Sequence, residues 1–331
     1  MKKILMLLIA IVAVCILWVY LKYGNHRSLL PVTSPASFSF AVEADPHMDE
    51  QSDDSTYTQT LQQIVKANPS FLIDLGDIFM VDKLQIKSDT NITKRYELMK
   101  SYYNQLQSIP LYFAMGNHDG ETGWDKLNTK SYRRAYFPDE TKDKNYFSFE
   151  KGNALFVVLD PYSYTTTKPN TDGWQWTLGK TQYDWFSNTL KTSTAKYKFV
   201  FIHQLVGGDN QGRGGVELAK LYEWGGNNTD GSYGFTSHRP GWSKPIHDLL
   251  VENHVTIVFK GHDHLFAKQD LDGIVYQTLP QPSHAGDKYD SYSYKNGKII
   301  GGSGFLNVTV RPTSVIVDFI QATSTTYSYQ L

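Results

Sequence analysis

Short apolar runs recur along the chain from residue 38 onward, and their length predicts buried β-strands. Phe38 to Glu43 is the first, and runs follow at 71–75, 111–115, 155–159, 199–202 and 255–259. These runs are rich in Val, Ile and Phe and are too short for typical helices, which favours strands.

Apolar residues at helical spacing lie between these runs. Leu61, Ile64 and Val65 mark one helix, and others are predicted around 96–106, 183–190 and 246–250, the last with Pro245 in its first turn. Because strands and helices alternate, the predicted fold class is α/β, with helices layered on sheets.

The pattern changes after Gly261. Runs at 274–279, 305–310 and 315–320 predict strands with no helix between them, and the simplest arrangement is a second, partly antiparallel sheet.

Two long stretches, 161–176 and 207–242, lack periodicity. Loops of that length in a compact domain are usually functional or disordered, so we expect substrate selectivity to reside there.

The N-terminal segment contains a different kind of apolar run. Ile4 to Leu21 holds 18 uncharged, mostly apolar residues after Lys2 and Lys3. That length suits a membrane-spanning helix and exceeds the core of a cleavable signal, which is about 7–15 residues. An uncleaved membrane anchor is therefore predicted, with a cleaved signal as the alternative.

The domain boundaries follow from this segment. We predict an N-terminal anchor or signal at 1–27, a linker at 28–37 and one folded domain at 38–331. The slight excess of positive charge before the apolar run predicts that the folded domain lies outside the cytoplasm, either anchored or secreted.

The charge balance disfavours one class of partner. Beyond the first 27 residues, 28 basic and 33 acidic residues remain, a net charge near −5. Non-specific binding to nucleic acid requires a positive surface, so we expect no such binding.

The single cysteine, Cys15, lies in the N-terminal apolar run, so the folded domain has neither a disulfide nor a cysteine-ligated metal site.

Potential metal ligands follow five of the predicted strands. They occur as Asp45-Pro46-His47, Gly76-Asp77, Gly116-Asn117-His118-Asp119, His203 and Gly261-His262-Asp263-His264. Such carboxylate, amide and imidazole groups suit Zn, Mn and Fe. Because ligands in open α/β sheets gather outside the carboxyl ends of the strands, these side chains are expected to meet. Singly, each segment has an ordinary structural explanation; as an ordered set they predict a hydrolytic metal centre.

The five segments together resemble the signature of the calcineurin-like metallophosphoesterases, which is D-x-H, G-D, G-N-H-D/E, H and G-H-x-H in that order. The resemblance covers roughly residues 38–320. It implies a four-layer α/β/β/α sandwich of two mixed sheets, with the metal site at the carboxyl ends of the strands. It also implies two divalent or trivalent metal ions, and Mn, Fe or Zn would suit the ligands.

The same resemblance implies a role for each residue of the signature. The first metal would take Asp45, His47, Asp77 and His264, and the second would take Asp77, Asn117, His203 and His262. His118 would be the catalytic histidine, with Asp119 orienting it, and Asn117 would also face the substrate.

The expected chemistry is hydrolysis of a phosphoric ester. Two cations about 3.5–4 Å apart can clamp the attacking and leaving oxygens, and a metal-bound hydroxide can attack phosphorus. His118 can donate a proton to the leaving oxygen. The alternative is a catalytically silent, metal-binding surface protein of the same fold. Monoesters, diesters, nucleotides and lipid head groups all fit the pattern, and it leaves the oligomeric state open.

Two further observations refine the expectation. Purple acid phosphatases have a related signature but carry a tyrosine ligand soon after the bridging aspartate and lack the histidine of D-x-H. Here Ile78-Phe79-Met80 follows Asp77 and His47 is present, so no tyrosinate ligand is expected.

In the second long stretch, His238 and Arg239 offer a contact to substrate phosphate, with an ordinary ion pair within the loop as the alternative.

Overall fold

The fold is described from a computed structural model that defines residues 36–49, 52–80, 84–86, 88–119, 145–167, 170, 172–207, 213–284, 293–322 and 324–331. Within these ranges no helix combines the length and the apolar character needed to cross a membrane. The predicted anchor at 1–27 lies outside them.

The strands of the described residues are short, as the sequence predicts. They are β1 (Phe38–Glu43), β2 (Leu72–Asp74), β3 (Leu111–Phe113), β4 (Phe147–Lys151), β5 (Ala154–Val158), β6 (Ser163–Tyr164), β7 (Trp176–Thr177), β8 (Tyr197–Ile202), β9 (Ile257–Lys260), β10 (Phe266–Leu271), β11 (Ile274–Thr278), β12 (Lys298–Ile300), β13 (Phe305–Val310), β14 (Val315–Gln321) and β15 (Ser324–Gln330). The nine strands predicted from apolar runs are all present, within one or two residues of their predicted ends.

The first mixed sheet has the order β15-β14-β13-β1-β2-β3. β1, β2 and β3 are parallel, and Leu72 of β2 lies opposite Ala41 on one side and Leu111 on the other. β13 runs antiparallel to β1. The parallel arrangement brings the carboxyl ends of β1, β2 and β3 to one edge of the sheet.

The second mixed sheet has the order β12-β10-β11-β9-β8-β5-β4. β5, β8, β9 and β11 are parallel, whereas β4 and β10 run antiparallel to their neighbours β5 and β11. The carboxyl ends of β8 and β9, which precede His203 and Gly261, therefore also lie at a common edge. β6 and β7 form a separate two-stranded sheet.

The described residues also form helices that pack around the two sheets. They are α1 (Asp54–Ala67), α2 (Asp89–Tyr103), α3 (Lys180–Thr192), α4 (Tyr222–Gly225), α5 (Phe235–His238) and α6 (Ile246–Glu252). α1 begins where the Asp53 carboxylate accepts a hydrogen bond from the Thr56 N–H at 2.6 Å. It ends at Ala67 and is capped by Asn68, which adopts a left-handed conformation.

Alternation of side chains along the strands fills the space between layers. Phe40 and Val42 of β1 pack with Phe156 and Phe201 in the core between the two sheets, whereas Ala41 faces the cluster beneath α1 and α2. A third cluster joins α3 and α6 to the outer face of the second sheet. The predicted α/β/β/α sandwich of two mixed sheets is confirmed.

The arrangement of the strands after Gly261 differs from the prediction. They do not form a sheet of their own: β11 extends the second sheet beside β9, while β13 and β14 join the first sheet beside β1. An apolar run predicts that a strand is buried, but it does not predict which neighbouring strand forms hydrogen bonds with it. The strands the sequence missed include β4, β12 and β15, which lie at sheet edges and are less apolar.

Candidate metal centre

Two groups of potential ligands converge at the carboxyl ends of the strands. Ligand atoms of Asp45, His47 and His264 lie within 4.8 Å of one another, and so do those of Asp77, His203 and His262. The residues follow β1, β2, β8 and β9. The structure thus brings together six of the seven residues predicted to bind metal, in two groups that match the implied division.

Asp77 lies between the two groups. Its Oδ2 is 3.2 Å from Nε2 of His203 and 3.7 Å from Nε2 of His47. His47 Nε2 in turn lies 3.1 Å from His264 Nε2. A carboxylate placed between two sets of imidazoles can ligate a cation on each side and reduce the repulsion between the cations.

Asn117 and His118 complete the predicted set. The Asn117 Oδ1 lies 3.1 Å from Nε2 of His203, at the second group. The half-buried His118 ring lies 5.6 Å from the His47 ring, centroid to centroid, and the His118 N–H donates to Asp77 Oδ1 at 2.7 Å. His118 therefore stands beside both groups and is tied to the residue between them.

Two buried ligand atoms fit a metal better than they fit a hydrogen bond. Among the described residues, Asp45 Oδ1 and His262 Nε2 are buried without a hydrogen-bond partner. Burying a polar atom without a partner costs about 1–3 kcal/mol, and a bound cation would remove that cost. The donors are all nitrogen or oxygen, so the ligand set fits Mn, Fe or Zn.

The backbone at this site adopts conformations that side chains disfavour. Asp45, His47, Asp77, His262 and His264 all have φ between 43° and 72°. Residues other than glycine rarely occupy this left-handed region, and such strain concentrates at functional sites. Five strained residues in two ligand groups show that the fold holds these side chains where local preferences alone would not.

Close contacts with neighbouring ligand loops explain the glycine in two of the segments. A Cβ on Gly116 would lie 2.2 Å from the Asp77 N, and one on Gly261 would lie 2.6 Å from Asp45 Oδ2. Both contacts are too short for any side chain. The glycines therefore let one ligand loop approach the next.

Burial and charge divide the histidines into two kinds. Burial lowers the pKa of His47 to about 3, helped by the neighbouring His264, and also lowers that of His262 far below its usual value. At His203 the carboxylates of Asp77 and Asp45 outweigh burial and raise the pKa to about 9. His47 and His262 are thus neutral and ready to ligate at neutral pH, whereas a cation beside His203 would displace a proton.

Asp119 holds the ligand loops by their backbone. Its Oδ2 accepts the N–H of Gly116 at 2.7 Å and that of Asp77 at 3.0 Å, and its Oδ1 accepts from Ile78 at 3.2 Å. These bonds fix the loop that carries Asp77. The predicted role of Asp119 in orienting His118 stays a prediction.

A buried polar cluster that the sequence reasoning missed supports the last ligand loop. Asp263 Oδ2 accepts from Lys260 Nζ at 2.7 Å and from the Gly214 N–H at 2.8 Å, and the Tyr294 hydroxyl also donates to it. Arg213 donates to the His262 carbonyl at 2.7 Å. Since Lys260 and Asp263 flank His262 and are fully buried, they position both histidines of the loop. A lysine that ends an apolar strand was the available sequence signal.

Two buried acids near the first ligand loops, Asp74 and Glu43, were also not predicted from the sequence. Asp74 accepts from the Gly76 N–H at 2.8 Å and from the Tyr103 hydroxyl at 2.6 Å. The neighbouring Glu43 accepts from the Tyr57 hydroxyl, and burial raises its pKa to about 7. An acidic residue inside an otherwise apolar strand was the sequence signal here.

Arg239 forms a buried ion pair within the loop, the alternative to a contact with substrate phosphate. Its guanidinium pairs with the buried carboxylate of Glu223 and donates to the carbonyls of Trp174 at 2.9 Å and Trp176 at 2.8 Å. The exposed His238 ring stacks on Trp174, with centroids 4.3 Å apart. These contacts fasten the two long stretches together, since Trp174 belongs to the first and Arg239 to the second.

Comparison with known proteins shows which family the chain matches. The family described as calcineurin-like phosphoesterase matches residues 38–266. Comparison with curated proteins finds no significant match.

Among solved structures, a purple acid phosphatase from yellow lupin has a TM-score of 0.61 at 13% identity, covering 89% of this chain and 54% of its own. A dimetal phosphatase from Danio rerio has a TM-score of 0.59 at 12% identity, covering 89% of this chain and 98% of its own. GAP50, the anchor in the inner membrane complex of Plasmodium, has a TM-score of 0.59 at 15% identity, covering 89% and 88%. This chain spans about half the length of the lupin enzyme. At these identities the likeness shows a shared fold.

Proposed function

The chain belongs to the calcineurin-like phosphoesterase family, and we propose that it hydrolyses phosphoric esters at a two-metal centre. The observation that carries the proposal is the position of Asp77 between two groups of nitrogen and oxygen ligands. A structural metal site would need only one such group, closed on all sides. Two adjoining groups with a histidine beside them suit phosphoryl transfer.

Each residue has a defined part in holding the ions. Asp45, His47 and His264 would hold the first ion and His203, His262 and Asn117 the second, with Asp77 shared. When bound, a pair of such ions supplies Lewis-acid charge for the phosphoryl oxygens and generates a nucleophile from water at neutral pH.

The chain itself supplies proton transfer and orientation. His118 is half-buried beside His47, and its backbone is fixed by the bond from its N–H to Asp77. In the proposed reaction its imidazole donates a proton to the leaving oxygen or holds the phosphoryl group. Displacement at phosphorus is direct, without a covalent enzyme intermediate.

Metal removal and replacement test the proposal. The purified chain is stripped with a chelator, and Mn, Fe or Zn is added back while hydrolysis of nitrophenyl phosphate and its bis-ester is followed. Metal-restored turnover is expected, and the ratio of the two rates separates a phosphomonoesterase from a phosphodiesterase. No turnover with two ions bound would favour the catalytically silent metal-binding protein instead.

We also propose that residues 1–27 anchor the protein with its catalytic domain outside the cytoplasm. The support is the uncharged run from Ile4 to Leu21 and the lysines before it. In cells, the chain should sediment with membranes, and a protease added outside intact protoplasts or spheroplasts should cleave the domain. Release into the medium with loss of the N-terminus would indicate a cleaved signal.

A further inference from the structure

A cavity of about 470 Å³ opens beside the first two ligand loops. It lies between α2 and the segments that follow β1 and β2. Its lining comprises Asp49, Phe79, Met80, Leu84, Gln85, Ile86, Asn91, Lys94, Arg95 and Leu98. A volume of this size is typical of sites that bind small organic molecules.

One face of α2 forms a wall of the cavity. Asn91, Lys94, Arg95 and Leu98 are spaced three and four residues apart, so they share that face. The opposite lining is mainly apolar and includes the fully buried Phe79. The cavity lining therefore combines apolar side chains with polar groups, several of them from one helix.

Two large apolar side chains that line the cavity are exposed. Ile86 is 68% exposed and Leu98 is 36% exposed, and both are among the few large apolar side chains exposed in the described part of the chain. Exposed apolar groups that adjoin a cavity mark a binding site more often than isolated ones do.

Charge at the cavity favours an anion at its rim. Among the described lining residues, Lys94 and Arg95 are cationic and Asp49 is anionic. Arg95 also donates to the Met48 carbonyl at 3.1 Å, and Asp49 Oδ2 accepts from the Met80 N–H at 3.1 Å. Lys94 is exposed and forms no ion pair with another described residue.

The cavity adjoins the metal centre through the chain itself. Asp49 follows His47 by two residues and Phe79 follows Asp77 by two residues, and two residues of extended chain span at most about 7 Å. The two segments also run side by side, with the His47 N–H bonded to the Asp77 carbonyl at 3.0 Å. The Cα atoms of Asp49 and Phe79 in the cavity lining thus lie within about 7 Å of those of His47 and Asp77.

We propose that this cavity binds the leaving-group alcohol of the phosphoric ester, and that the preferred alcohol is bulky and apolar with an anionic substituent that meets Lys94. The inference rests on the proposed hydrolysis. It assigns selectivity to α2 and to the lining residues at 79–80 and 84–86, and not to the two long stretches at 161–176 and 207–242.

The test compares three esters on the full chain: methyl phosphate, naphthyl phosphate and carboxynaphthyl phosphate. Leu98→Ser should raise KM roughly tenfold for both naphthyl esters, because contact with an apolar group is lost, and leave methyl phosphate unchanged. Lys94→Met should raise KM about two- to fivefold for the carboxynaphthyl ester alone, since an exposed charge contributes modestly.

Matched controls separate these effects from changes in folding or net charge. Val251→Ser alters another side chain that is 36% exposed, and Lys66→Met removes an exposed lysine from α1; neither should change any KM. Equal effects on all three esters, or none from either cavity variant, would overturn the assignment.

A binding measurement separates failure of this inference from failure of the proposed function. Hydroxynaphthoate, the alcohol product, is titrated against the chain by its fluorescence, which requires no turnover. Binding that Leu98→Ser weakens would support the cavity even if no ester were hydrolysed, and the hydrolase assignment alone would then fail. Hydrolysis without any binding of hydroxynaphthoate would leave the hydrolase standing and refute the cavity.

Discussion

Replacing Arg239 with methionine should destabilise the domain while leaving its affinity for substrate unchanged. Arg239 is 5% exposed and its partner Glu223 is fully buried. Methionine keeps much of the length and apolar stem of arginine but removes the charge and every hydrogen bond of the guanidinium. The variant therefore isolates the electrostatic part of the contact.

The structure sets the size of the effect. The guanidinium pairs with Glu223 and donates to the carbonyls of Trp174, Trp176 and His238. Removing one partner of a buried ion pair typically costs about 3–5 kcal/mol, because the other charge stays buried and uncompensated. Glu223 keeps the hydrogen bond from the Leu178 N–H at 2.8 Å and can take up a proton. We therefore expect the free energy of unfolding to fall by about 3 kcal/mol, at the lower end of that range.

The loss should grow with pH. Burial already raises the pKa of Glu223 although Arg239 opposes the shift, and losing Arg239 should raise this pKa further. A carboxyl whose folded-state pKa lies above its unfolded value destabilises the fold as pH rises toward that folded pKa. The variant should therefore lose less stability at about pH 5 than at about pH 8, and adding Glu223→Gln should remove most of that difference.

Urea unfolding at the two pH values measures the stabilities, and KM for nitrophenyl phosphate measures substrate affinity. Arg311→Met, at an exposed arginine, is the matched control and should change stability by no more than about 0.5 kcal/mol. A large rise in KM with unchanged stability would refute the reasoning and restore Arg239 as a phosphate ligand.

Three further predictions concern the metal centre and its support. His118→Ala should lower kcat strongly while metal content by atomic emission stays near that of wild type, with His254→Ala as a neutral control; unchanged kcat would exclude His118 from the reaction. Asp77→Asn should lose both metal and activity, and full occupancy in that variant would contradict its position between the ions. Lys260→Met should remove the buried cation that donates to Asp263 and leave only Arg213, 3.7 Å away, lowering stability by about 3 kcal/mol and weakening Mn or Zn binding by calorimetry; unaltered metal affinity would confine Lys260 to a purely structural role.

Much of the fold was predictable because its strands are locally marked. β1 and β13 match their apolar runs residue for residue, since the side chains that each strand packs into the core are apolar and lie within the strand itself. β15 could not be predicted in this way, because it lies at a sheet edge with most of its side chains exposed.

The candidate site was predictable to a similar degree and for a similar reason. Each ligand segment follows its own strand, so residues such as Asp45 and His262 carry their signal within a few positions. Arg239 carries no such signal: its guanidinium reaches the carbonyl of Trp174, 65 positions away in the chain. Whether an arginine meets substrate or a buried glutamate depends on contacts that spacing does not record.

The sequence by itself therefore determined the α/β class, the strand positions and the ordered set of ligands, because each depends on neighbouring residues. Only the tertiary structure decided that β11 and β13 enter different sheets, that Asp119 and Lys260 hold the ligand loops, and that α2 forms a wall of a cavity beside them. These features arise from contacts between distant segments. The apolar pattern of the sequence predicts that a residue is buried, but it does not identify the residues that it contacts. Those contacts depend on the free energy of the whole packed chain.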